Sequence, residues 1–175
     1  MKIRQTLMSS AIAIGSLLIT QFANAQSLTQ KSSTITVKGT STLHDWVMKA
    51  NSSTFTGTVS GNAITNIKLT IPYNNLKSEK GNTMDKKAYK ALKESNIFFT
   101  TSSIPVGSSN VNGQLTIAGV TKNVSLPVNV IKKGNIYTIT GEETIKMSDY
   151  KMERPGMLGI KTGDVVTVNV SITAQ

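Results

Sequence analysis

The chain has 175 residues, with 19 Lys plus Arg, 9 Asp plus Glu and no cysteine. The lack of cysteine excludes disulfide bonds and thiol catalysis, so packing alone must stabilise the fold. Without Lys2 and Arg4, which lie in a predicted leader, 17 basic residues stand against 9 acidic ones, a net charge of +8. This charge either favours anionic partners such as lipid head groups or serves only solubility. Nucleic acid is not an expected partner, because arginine is scarce and no basic-aromatic motif occurs.

The first 25 residues have the pattern of a secretory signal peptide. Lys2 and Arg4 precede an apolar run at 11–19, and Ala23-Asn24-Ala25 is a small-x-small cleavage site. The run is too short to span a membrane, which needs about 20 apolar residues, and no later segment is apolar enough. We therefore predict cleavage after residue 25, a periplasmic or secreted protein without an integral membrane segment, and a single domain over 26–175.

Alternation of apolar and polar residues predicts strands in the first half of the mature chain. The first covers Thr34–Lys38, and a long second strand runs from Trp46 to Val59. After a turn at Gly61-Asn62, a third strand covers Ile64–Ile71, and Pro72 marks its end.

Residues 82–94 change from the period of a strand to that of a helix. Met84, Ala88, Ala91 and Leu92 form one apolar stripe, and the lysines at 86, 90 and 93 lie on the other side. Asn82 is the predicted N-cap, with Asp85 as a weak capping-box partner. The pattern predicts one short amphipathic helix of about three turns.

Strand patterns return at 97–101, 114–118, 120–131, 137–145 and 165–172, with a long irregular connection at 146–163. Ala118-Gly119 is a two-residue turn candidate that places Ile117 opposite Val120 and Leu115 opposite Lys122. The turn type stays open, because Ala-Gly is not the Asn-Gly typical of a type I′ turn.

About eight strands and one helix indicate an all-β sandwich or antiparallel barrel. An eight-stranded barrel encloses either a side-chain core or one ligand. Many inward positions are Val or Ile, and the chain has only four Phe and one Trp. A wall of Val and Ile leaves more room than one of Phe, which favours a cavity.

Catalytic groups are sparse. His44 is the only histidine, and it cannot form a useful dyad with Asp45, because neighbouring residues in a strand point to opposite faces. One histidine without cysteine cannot build a zinc site, and no phosphate loop or dinucleotide fingerprint occurs. We therefore predict neither an enzyme nor a metal or cofactor site. Trp46, in phase with Met48, is predicted to pack inside.

Several motifs resemble the YceI-like, polyisoprenoid-binding family of exported bacterial proteins. The most specific is the hairpin Gly113–Val124, similar to Gly-x-Leu-Thr-Ile-x-Gly-Val-Thr-Lys-x-Val. The opening Gly39–Trp46 resembles the Gly-x-Ser-x-Leu-His-Asp-Trp type of member. Further similarities are the Met84–Leu92 helix, the Ile-x-Phe strand at 97–100 and the closing Gly163–Val168 strand.

The resemblance implies a lipocalin-like antiparallel barrel and, as in some members, a long isoprenoid chain in an apolar tunnel. We predict a non-enzymatic periplasmic protein that holds an isoprenoid or other long-chain lipid, with Lys122 as a head-group contact. The alternatives are a structural or stress-related envelope protein with a filled core and a protein partner, or a barrel enzyme of isomerase type. A homodimer is possible, and the sequence does not decide the oligomeric state. The residues predicted to line the tunnel are Trp46, Ile67, Leu69, Ile71, Phe98, Leu115, Ile117, Val124, Leu126, Val128, Val166, Val168 and Val170.

Overall fold

The computed structural model describes residues 25–157 and 159–175. The predicted signal peptide, except for its last residue, lies outside the described residues, and its cleavage stays a prediction. Within the described part of the chain, no helix is long and apolar enough to cross a bilayer.

Period-two patterning makes most of the described chain extended. The strands are β1 (Gln26–Ser41), β2 (Trp46–Ala50), β3 (Thr54–Ser60), β4 (Ala63–Ile71), β5 (Lys77–Ser78), β6 (Ile97–Pro105), β7 (Gly107–Ile117), β8 (Val120–Lys133), β9 (Ile136–Lys146), β10 (Gly156–Met157) and β11 (Ile160–Ala174). One α-helix, α1 (Asn82–Ala91), and two 3-10 turns, Tyr73–Asn75 and Met147–Tyr150, complete the described elements.

Eight antiparallel strands of the described chain close a barrel, in the order β1-β3-β4-β6-β7-β8-β9-β11 and back to β1. The closing pair runs from Gln30 opposite Ala174 to Ser41 opposite Thr162. The short strands β2, β5 and β10 add to strand edges. The predicted all-β, eight-stranded antiparallel barrel with one helix is confirmed.

The predicted long second strand is wrong in one respect, because it is two strands. β3 pairs with the start of β1, Gln26–Thr29, and β2 pairs with a later part of it, Ile35–Gly39. β1 is therefore long enough to hold two successive strands along one edge. Residues 51–53 join them and carry the chain from one to the other.

The start of the helix also differs from the prediction. The N-cap residue is Gly81, no side chain caps the helix, and Asn82 is its first residue. Asp85 is buried rather than part of a capping box. Its carboxylate accepts a hydrogen bond from the Ser78 amide at 2.6 Å, which ties α1 to β5.

The β7–β8 hairpin has the predicted register, with Ile117 opposite Val120 and Leu115 opposite Lys122. Ala118 and Gly119 have φ of 49° and 76°. Positive φ at both central residues is the signature of a type I′ turn. The turn therefore follows the twist of its strands, although Ala is an unusual residue in the first position.

The two ends of the barrel differ in packing. At the closed end, where the β3–β4, β6–β7 and β8–β9 turns lie, Ile64, Val111, Val130 and Tyr137 are all buried. The other end, called the mouth end below, carries α1, the β1–β2 connection, the β7–β8 turn and the β9–β11 connection. The interior is solid at the closed end and hollow toward the mouth end.

Candidate functional site

The hollow part of the barrel is a cavity of about 220 Å³. Its walls are apolar because the inward positions of nearly every barrel strand carry aliphatic or aromatic residues. On the strands these are Ile35, Val37, Trp46, Met48, Phe55, Ile67, Leu69, Ile71, Ile97, Phe99, Ile104, Leu115, Ile117, Leu126, Val128, Ile139, Ile145, Val166, Val168, Val170 and Ile172.

All the residues predicted to line a tunnel, except Phe98 and Val124, lie on the wall of this one cavity. The closing strand contributes Val166, Val168 and Val170, which face Leu115, Ile117, Leu126 and Val128 from the hairpin across a common interior. Whether a lipid contacts them stays a prediction, but their shared location follows from the barrel having one inside.

Phe98 lies on the outer face, where the Lys68 ammonium is 5.8 Å from its ring centroid. The inward residue of this pair is Phe99, which is buried and lines the cavity. The prediction that Phe98 lines the wall was wrong, because Ile97 and Phe99 occupy the inward positions of β6 and Phe98 lies between them.

Val124 is half-buried and packs against the core without lining the cavity. It pairs with Gly113, and a Cβ at that glycine would come within 2.6 Å of the Phe99 ring. The Phe99 ring therefore occupies the space in front of this strand pair.

The mouth end adds wall residues that the sequence did not assign to the site. Helix α1 contributes Met84, Lys87, Ala88 and Ala91, with Leu92 just after it, and the β9–β11 connection contributes Met147, Met152 and Pro155. The apolar stripe of the helix was visible in the sequence, but not the surface that it would cover. Three of these residues are methionines, whose flexible side chains adapt to irregular ligands.

Polar contacts fix these two covering segments. The Lys87 ammonium donates to the Gly156 carbonyl at 2.9 Å and so joins α1 to β10. On the other side, the Asp164 carboxylate accepts the Ser148 amide at 2.8 Å and also the Ser148 hydroxyl. These two bonds lower the pKa of Asp164 below its ordinary value and hold the turn Met147–Tyr150 on β11.

Lys122, the predicted head-group contact, does not line the cavity. Its ammonium lies 3.5 Å from the Asp149 carboxylate and 5.7 Å from the centroid of the Tyr150 ring. Lys122 therefore contacts the turn that covers the cavity, and its contact with a head group stays a prediction.

His44 and Asp45 are both exposed in the β1–β2 connection. The Ser41 hydroxyl donates to the His44 carbonyl at 2.8 Å and accepts the His44 amide at 3.2 Å, so the contacts here involve its backbone. Trp46 is half-buried, lines the cavity and donates its indole N–H to the Thr40 carbonyl at 3.1 Å. Within residues 25–157 and 159–175, no three His, Asp or Glu side chains come together as a metal site.

A family model, the YceI-like domain, matches residues 26–174. The chain belongs to the YceI-like family. No curated protein matches its sequence.

Solved structures share this YceI-like fold at low sequence identity. BcnA from Burkholderia cenocepacia is 21% identical with a TM-score of 0.65, over 82% of this chain and 96% of that one. A polyisoprenoid binding domain from Saccharophagus degradans is 14% identical with a TM-score of 0.66, over 85% and 97%. The YceI protein of Campylobacter jejuni is 18% identical with a TM-score of 0.53, over 99% and 89%.

Proposed function

We propose that this YceI-like protein is a non-enzymatic binding protein that holds the chain of an isoprenoid or other long lipid inside its barrel. The observation that carries the proposal is the apolar cavity of about 220 Å³. Burial of each methylene group contributes about 0.8 kcal/mol, so a long chain binds well without any special polar contact. The Saccharophagus degradans domain, named for polyisoprenoid binding, gives this reading independent support.

The shape of the interior suggests how such a chain would lie. On β11 the wall runs from Val166 to Ile172. At about 3.3 Å per residue on a strand tilted by roughly 40°, this corresponds to a depth of about 15 Å. The packed closed end stops the chain there, so its polar head would stay near the mouth end.

Two alternatives are less well supported. A structural protein with a filled core does not need an apolar cavity at all. An isomerase needs an acid and a base in the cavity, and of the described residues Lys87, Glu142 and Glu143 are the ionisable ones on its wall. The Lys87 ammonium is bonded to the Gly156 carbonyl and Glu142 is exposed, so neither is free inside the cavity to act as acid or base.

The predicted signal peptide suggests where in the cell this function would be carried out. A chain exported from the cytoplasm would hold its lipid in the periplasm or medium, where a long apolar chain cannot otherwise stay in water.

Mass spectrometry of an organic extract tests the proposal. The protein is purified from its own host without detergent, and another exported protein purified in the same way is the control. We expect a long-chain lipid in near-stoichiometric amount from this protein alone. Equal traces of lipid from both proteins would refute lipid binding.

A further inference from the structure

Helix α1 presents lysines on the side opposite the cavity. Met84, Ala88 and Ala91 line the cavity, so this stripe of the helix faces the barrel. Lys86 and Lys90 lie on the opposite side of the helix at its period of 3.6 residues, and both are exposed. This side of α1 is therefore an outer surface of the mouth end.

Two more lysines extend this basic surface. Lys80 precedes the helix, Lys93 follows it, and both are exposed. The lysine face is defined below as Lys80, Lys86, Lys90 and Lys93. Among the described residues, no ion pair or side-chain hydrogen bond involves these four ammonium groups. They are free to meet an anionic surface.

The acids of the same segment neutralise little of this charge. The Glu79 carboxylate is already 2.6 Å from the Lys49 ammonium. Asp85 is buried, and its carboxylate lies 3.6 Å from the Lys77 ammonium. Within the described segment 77–94, Glu94 is then the one acid without an ion pair. The lysine face therefore keeps a local excess of positive charge.

The mouth end also exposes an aliphatic side chain. Leu43 lies in the β1–β2 connection and is 66% exposed, more than any other large hydrophobic residue of the described chain. The amides of Leu43 and His44 both donate to the Ser41 hydroxyl oxygen, at 3.3 and 3.2 Å. These hydrogen bonds order the turn, which holds Leu43 in solvent at the end that carries the lysine face.

We propose that the mouth end docks on the surface of a bilayer that contains anionic lipids. The lysine face would lie against the phosphate groups, where each lysine strengthens binding about fivefold, and Leu43 would enter the boundary of the acyl chains. A bilayer is a better partner than a soluble anionic polymer, because only the bilayer offers an apolar layer to Leu43.

Docking in this orientation brings the hollow end of the barrel to the membrane. A long chain could then move between bilayer and cavity without crossing water. The four lysines and Leu43 do not line the cavity, so this inference goes beyond the proposed function and is tested separately from it.

Co-sedimentation with vesicles tests the docking. Protein purified from its own host is mixed with vesicles of phosphatidylcholine alone or of equal parts phosphatidylcholine and phosphatidylglycerol. We expect binding to the anionic vesicles only, and weaker binding as salt is added, because salt screens exposed charges. Leu43→Ser should weaken this binding by about three- to tenfold, because less apolar surface is buried in the bilayer.

Two triple variants with the same loss of charge separate the lysine face from the net charge. Lys86→Gln, Lys90→Gln and Lys93→Gln together should weaken binding to the anionic vesicles by about tenfold or more. The control replaces with Gln three exposed lysines at the closed end, Lys31, Lys132 and Lys133. It should bind within about twofold of the wild type, because these charges lie beyond the Debye length from a membrane at the mouth end. Both variants should melt as the wild type does, since all six side chains are exposed.

The outcomes distinguish docking from lipid binding in the cavity. Equal binding of the wild type to both kinds of vesicle, or an equal loss in the two triple variants, would overturn docking by the mouth end. Binding to soluble dextran sulfate without binding to anionic vesicles would overturn it too, in favour of a polymer. Lipid is extracted from the same preparations. Lipid in the extract without vesicle binding would leave the cavity proposal standing alone, and vesicle binding without lipid in the extract would leave docking standing alone.

Discussion

Gly39 and Trp46 face each other across β1 and β2, and the indole ring lies directly over the glycine. A Cβ at residue 39 would come within 2.1 Å of Trp46 Cζ2. The absence of a side chain at Gly39 thus creates the space in which the ring lies. Trp46 in turn forms part of the cavity wall near the mouth end.

This relationship predicts coupled effects on stability. Gly39→Ala should destabilise the protein by about 1–3 kcal/mol through overpacking. Trp46→Ala should cost roughly 2–4 kcal/mol, somewhat less than a fully buried aromatic residue. In the double variant the methyl group of the alanine at position 39 fits into the space that the indole ring has left. The loss of stability of the double variant should therefore be clearly smaller than the sum of the losses of the two single variants.

Urea denaturation of the four proteins measures the coupling. His44→Ala is the control from the same segment, and because His44 is exposed it should change stability by no more than about 0.5 kcal/mol. Additive costs of the two substitutions would show that the ring does not need the glycine. An unchanged melting temperature in Trp46→Ala would contradict its packing role altogether.

Filling the cavity should prevent lipid binding. Val168→Trp places a large ring in the middle of the wall, so the variant should retain little extractable lipid. Overpacking is expected to cost about 1–3 kcal/mol of stability at the same time. Organic extraction followed by mass spectrometry compares it with the wild type, both purified from the native host.

Asn169→Trp is the matched control for this substitution. Residue 169 is the next position on β11, so its side chain points to the outer face of the sheet, where it pairs with Thr36 and Glu142. This variant should retain as much lipid as the wild type. Equal retention by Val168→Trp and Asn169→Trp would mean that no ligand lies along this wall, and a structural role would then be favoured.

The inner surface of the barrel could largely be predicted from the sequence, because alternation assigns faces and a closed barrel has one inside. Phe98 was assigned to the inner face of the barrel wrongly, because two aromatic residues in succession do not show which of them points inward. Glu143 also lines the cavity and was not predicted to, although Tyr137, Ile139 and Ile145 place position 143 in the apolar phase. An acidic residue interrupts the apolar pattern there, so alternation alone did not assign this position to the wall.

Long-range features could not be predicted in this way. The division between β2 and β3 depends on how much of β1 is free to pair with each of them. An amphipathic stripe shows that α1 must cover an apolar surface, but the surface itself is formed by residues far away in the chain. The contact of Lys87 with Gly156 is of the same kind.

The buried carboxylate of Asp85 should contribute to the placement of α1. Asp85→Ala leaves the Ser78 amide without its acceptor, and the loss of a hydrogen bond to a charged group should cost about 1–3 kcal/mol. Lys77 lies 3.6 Å from this carboxylate, but its side chain is 59% exposed. Lys77→Met should therefore change stability by less than about 1 kcal/mol. Urea denaturation of both variants measures this, and equal costs would contradict the central role of the Ser78 bond.

The last prediction concerns acid and the turn Met147–Tyr150. The side-chain and backbone hydrogen bonds from Ser148 lower the pKa of Asp164 below its ordinary value of 3.8. A carboxyl whose pKa is lower in the folded than in the unfolded state stabilises the fold above its unfolded pKa, and this contribution disappears as the pH falls through the folded pKa. Asp164→Asn should therefore have a lower melting temperature than the wild type near neutral pH, and the difference should shrink once the pH falls below 3.8.

Melting temperatures of both proteins over a series of acidic and neutral buffers measure this effect. Glu153→Gln removes an exposed acid from the same connection and serves as the control for net charge. Ser148→Ala should reproduce the behaviour of Asp164→Asn, because it removes the hydroxyl donor that contributes most to the lowered pKa. A difference between Asp164→Asn and the wild type that stays constant down to the most acidic buffer would show that the Ser148 bonds do not depend on the charge of Asp164.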